Sequence, residues 1–152
     1  MNTNSLHALV LFSLTLIQIC FSGCNDDLTY KKVKLKQVRI HDFPMTNGGE
    51  PWDSLDGPDL YFEVYLNGIK KYNSNISQYM NIVAAPITFQ IDSEIVAQPG
   101  KDQLTYKLFD LDLNSNQLID SLKFDPPASR YYPFDEVLQW GITQWESFYV
   151  EP

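Results

Sequence analysis

Two aspartates one residue apart, Asp110 and Asp112, close the strand-like stretch "LTYKLF" and lead into the amide-rich run "DLDLNSNQLIDS". Carboxylates this near one another repel unless a cation or a hydrogen-bond network compensates them. A second acidic loop, "FPMTNGGEPWDSLDGPD", holds Asp53 and Asp59 ahead of the strand starting at Leu60. The chemistry on offer is oxygen coordination of a hard cation, which takes six to eight carboxylate, amide and carbonyl oxygens from adaptable loops. The competing reading is that these are solvated turn aspartates, because Asp caps its own backbone in turns.

Catalysis has little to draw on. Beyond the first 23 residues there is one histidine, His41, and one cysteine, Cys24. No G-x-S-x-G elbow accompanies His41, and zinc sites need several His or Cys ligands. We expect a protein that is not an enzyme. A net charge of −8 argues against nucleic acid as a partner, since that binding depends on Lys and Arg neutralising phosphates.

The acids need a frame, and the frame reads as β-structure. In "LYFEVYL", Leu60, Phe62, Val64 and Leu66 share one face. The same period of two places Ile87, Phe89 and Ile91 inward in "ITFQI", and Leu104, Tyr106 and Leu108 inward in "LTYKLF". "VKLKQVRI" changes phase between Leu35 and Val38, which predicts a β-bulge. "QLIDSLKF" and "TQWESFYV" are further strands, while "FDEVLQW" has room for one or two helical turns. Turn signals such as "NGGEP", "LNG", "QPGKD" and "DPP" separate these runs. The pattern predicts an all-β antiparallel sandwich.

An EF-hand fits Asp110, Asp112 and Asn114 as its first ligands, then fails. Ser115 stands where glycine is needed and Ser121 where glutamate is needed, and the flanks are strands. "SLDGPDLYFEVYLNG" followed by "YKLFDLDLNSNQLID" instead resembles the C2 domain family of calcium- and lipid-binding modules. The resemblance implies an eight-stranded antiparallel β-sandwich over residues 33–152, with calcium held between loops at one end. It implies ligand roles for Asp53, Asp59, Asp110 and Asp112, with Ser115 as the small polar residue after the aspartate pair. A later acid of that loop is replaced by an amide around Asn116 and Gln117, which leaves Asn116 as a further candidate ligand, and the proline of the family's "DPY" step is Leu60. Losing one carboxylate implies weak calcium affinity, about 10⁻⁴ to 10⁻³ M. Trp52, Leu55 and Leu113 lie among the acids and are candidate contacts to a membrane or a protein partner, although for Trp52 and Leu55 folding back under their loop is the favoured expectation.

The N-terminus is a different material. Residues 1–23 contain no charged side chain, and Ala8 to Ser22 is almost wholly apolar. That run is shorter than the roughly 20 residues of a membrane span and suits a signal peptide. Its ending, "FSGC", resembles the lipobox of bacterial lipoproteins, in which Cys24 would be lipidated. The expectation is a protein anchored in the cell envelope through Cys24, with residues 24–32 as a polar tether. The resemblance leaves the leaflet open. A metal-free sandwich acting as a protein-interaction module is the alternative.

Overall fold

The computed structural model describes residues 31–53, 57–75, 79–112, 116–129 and 131–152; Cys24, Leu55, Leu113 and Ser115 lie outside them. Among the described residues, ten strands run β1 (Val33–Asp42), β2 (Thr46–Asn47), β3 (Glu50–Pro51), β4 (Leu60–Leu66), β5 (Ile69–Asn73), β6 (Ile87–Ala97), β7 (Leu104–Leu111), β8 (Asn116–Phe124), β9 (Phe134–Trp140) and β10 (Thr143–Val150). Two four-stranded antiparallel sheets, ordered β6-β1-β10-β9 and β5-β4-β7-β8, make the eight-stranded sandwich that the sequence leads one to expect. The remaining pair, β2 and β3, is a short ribbon inside the first acidic loop.

Alternation along the strands builds the core. β7 and β10 bury every second residue, so Leu104, Tyr106 and Leu108 of one sheet face Trp145 and Tyr149 of the other. Rings bridge the layers: Phe62 stacks on Phe89 at 4.7 Å between centroids, and Tyr106 lies 5.8 Å from Trp145. Burying such aromatic area is the main favourable term in a fold of this size. The phase change in β1 is a register shift between Leu35 and Gln37 against both neighbouring strands. It lets Val33, Leu35, Val38 and Ile40 all face inward.

One expectation is corrected. "FDEVLQW" is strand β9, paired along its length with β10, and not helix. The turn at Gly141, with φ of 62°, closes a hairpin, and the ladder with β10 outweighs the local helical preference of so short a run.

The register also decides where the acids go. Leu60 pairs with Asp110, so the start of β4 and the end of β7 share one end of the sandwich. The end of β5 and the start of β6 reach it too, through the pairs Glu63–Asn73 and Ile40–Ile87.

Candidate metal centre

Asp110 is the last inward-facing residue of β7, which places a carboxylate where the strand pattern would put an apolar side chain. It is fully buried. The Asp59 main-chain N–H donates to its Oδ1 at 2.9 Å, and Oδ2 has no hydrogen-bond partner. Asp112, two residues on and just past the strand end, and Asp53 from the first loop bring carboxylate oxygens to within 4.8 Å of one another and of Asp110. Burial, with the charges of Asp53, Asp112 and Asp59, pushes the Asp110 carboxyl up to about 6. An unpartnered buried oxygen among crowded acids is the signature of a group that wants a positive charge. The donor set suits a hard divalent cation.

Of the four aspartates read from the sequence, three meet in this cluster and Asp59 stands beside it. Asp59 holds the assembly together from the side. Its N–H grips Asp110, its carbonyl accepts from Leu111 N at 2.8 Å, and its Oδ1 accepts from Asn81 N at 2.8 Å. Asn116 opens β8, exposed, opposite Leu111. Trp52 folds back: its indole N–H donates to the Pro44 carbonyl at 2.7 Å and the side chain is half-buried.

The structure adds a third segment that carries no acid and so gave no chemical signal in the sequence. Residues 79–82 run alongside residues 58–60, with Leu60 N donating to Tyr79 O and Ile82 N to Pro58 O. The fit is close enough that a Cβ on Gly57 would lie 2.0 Å from the Ile82 carbonyl oxygen. Tyr79 ties this strap to β6, its hydroxyl donating to Thr88 O and its ring 4.5 Å from Phe89. Met80 and Val83, on either side of the strap's contact with Asp59, are 53% and 76% exposed. Gln117, which the sequence shows only as an amide where an acid is replaced, takes a specific role in the structure. Its side-chain amide donates to Asp112 Oδ2 at 2.6 Å and accepts from Asn47 Nδ2 at 3.1 Å.

Away from the acids, the outer face of the β5-β4-β7-β8 sheet holds a cavity of about 220 Å³ lined by Tyr65, Thr105, Lys107 and Lys123 among others. Lys107 Nζ sits 4.8 Å from the centre of the Tyr65 ring.

Among solved structures, a C2 domain superposes with a TM-score of 0.56 at 11% identity, covering 78% of this chain and 96% of that one. A C2 domain protein from Ramazzottius varieornatus matches at a TM-score of 0.47 and 14% identity, over 82% of this chain and 91% of that one. Human GIVD cytosolic phospholipase A2 matches at 0.49 and 12%, over 80% of this chain but 16% of the enzyme. No family model and no curated protein matches the sequence. The described fold is a C2-like β-sandwich.

Proposed function

We propose that this protein is a C2-like module that takes calcium weakly at Asp53, Asp110 and Asp112, and that its loop end contacts a membrane or a partner once the acids are neutralised. The observation that carries the reading is the buried, unpartnered Oδ2 of Asp110 within a three-carboxylate cluster. Bound calcium would supply a positive charge beside the unpartnered Asp110 oxygen. The chain's own part is to hold the three acids converged, through the Asp59 N–H and the strap at residues 79–82. Exposed Met80 and Val83 beside that strap suit an apolar surface, and Lys107 and Lys123 at the sheet cavity suit an anionic one. One histidine beyond residue 23 and no G-x-S-x-G elbow suit a binding role better than catalysis.

Export and anchoring belong to the same proposal, resting on the apolar N-terminus and its "SGC" ending at Cys24. The protein would then work at the cell envelope. Mass spectrometry of the mature N-terminus tests this: a lipid-modified Cys24 supports it, and an unmodified terminus or no cleavage nearby removes it.

For the module, sedimentation with phosphatidylserine vesicles in calcium and in chelator is the test. Calcium-dependent binding supports the reading. Equal binding in both conditions, or none, would favour a metal-free interaction module.

A further inference from the structure

Asp112 lies past the end of the β7 ladder, so its carboxylate direction depends on side-chain partners more than that of Asp110, which the backbone holds. The partner is Gln117. It sits on β8, where its backbone pairs with Asp110 itself, so the amide is delivered to the cluster from a fixed point. Its Nε2 donates to Asp112 Oδ2 at 2.6 Å, while its Oε1 accepts from Asn47 Nδ2 at 3.1 Å. The two bonds fix which way the amide faces. Turning it over would set N–H groups against the Asn47 amide and an oxygen against a carboxylate. The bond chain therefore runs from the β2–β3 ribbon of the first loop, through β8, to the acid of the second loop. It compensates one carboxylate with a dipole instead of a charge.

We propose that Gln117 is the positioning residue that sets the cation affinity of the Asp53–Asp110–Asp112 cluster, by aiming Asp112 through a bond that Asn47 keeps oriented. The proposal rests on the calcium reading above. Residues that orient a ligating carboxylate typically change metal affinity by about ten- to a hundredfold when removed.

Isothermal titration of the protein with calcium chloride tests it, alongside thermal melts in chelator. Gln117→Ala should weaken calcium binding about tenfold, and Asn47→Ala should move it the same way by less. Gln117→Glu should do the opposite. A fourth carboxylate repels Asp112 in chelator, lowering the melting temperature, and tightens calcium binding because the cation gathers more charge. A purely structural role would lower the melting temperature of all three variants and leave the dissociation constant unchanged, and that result overturns the proposal. Wild-type protein that gives no calcium heat overturns both this inference and the reading beneath it. Wild-type binding with indifferent variants overturns this one alone.

Discussion

The main-chain N–H of Asp59 donates to Oδ1 of Asp110 across 51 positions of sequence, at 2.9 Å. That bond satisfies one oxygen of a fully buried carboxylate and leaves the other, Oδ2, facing Asp53 and Asp112 without a donor. Folding thus stores repulsion at one end of the sandwich. Asp110→Asn keeps the acceptor for Asp59 N–H and gives the neighbouring carboxylates a donor. It should raise the stability of the cation-free protein by about 1–2 kcal/mol in urea unfolding, and abolish any calcium response.

The same carboxyl makes the cation-free protein pH-sensitive. Its folded-state value, near 6, lies above the 3.8 of a free aspartate, so the folded protein holds a proton that the unfolded chain releases. Its contribution is fully present below pH 3.8 and is lost as pH rises through 6, on the order of 2–3 kcal/mol. Melts in metal-free buffer should therefore show a falling contribution from pH 4 to 7 that Asp110→Asn removes. Millimolar calcium should reduce that fall, because it favours the ionised form.

Glu136 offers a separate test outside the cluster. It lies on β9 opposite Ser147, and its Oε2 is buried without a partner. Burial holds its carboxyl above the ordinary glutamate value, and its charge acts on the buried phenols of Tyr106 and Tyr149. Above that raised value the folded protein carries an uncompensated charge. Glu136→Gln should stabilise the protein at pH 8 by about 1 kcal/mol and change little near pH 4, measured by urea unfolding.

Gly57 tests the strap. Any Cβ there would meet the Ile82 carbonyl oxygen, a backbone atom, at 2.0 Å. Gly57→Ala should force residues 58–60 and 79–82 apart, costing about 2 kcal/mol or more. Hydrogen exchange should show the amides of Leu60 and Ile82, which bond Tyr79 O and Pro58 O, losing protection together.

Most of the frame was legible in the sequence because strand alternation in β4, β6 and β7 is nearly unbroken, and the bulge in β1 announced itself as a change of phase. β9 was harder to read. In seven residues, Phe134, Val137 and Leu138 fit a helical stripe while Phe134, Glu136 and Leu138 fit a strand face, and only pairing with β10 decides between them. Asp110 and Asp112 could be read as neighbours because they are neighbours in sequence. That Asp53 joins them while Asp59 turns to Asn81 is set by contacts across three separate segments. The strap carries no charge, and the sequence shows amides beside the acids without showing that Gln117 is the one that bonds Asp112.

The proposed cation site exists only in the folded state, where the three acids converge. Thermal melts of the wild-type protein in millimolar calcium and in chelator measure this directly, since a ligand that binds only the folded form must raise the melting temperature. We expect a rise of several degrees with calcium, lost in Asp110→Asn. An unchanged melting temperature in the wild-type protein, with Asp110→Asn more stable than wild type in both conditions, would mean that the three carboxylates are a strained but empty cluster.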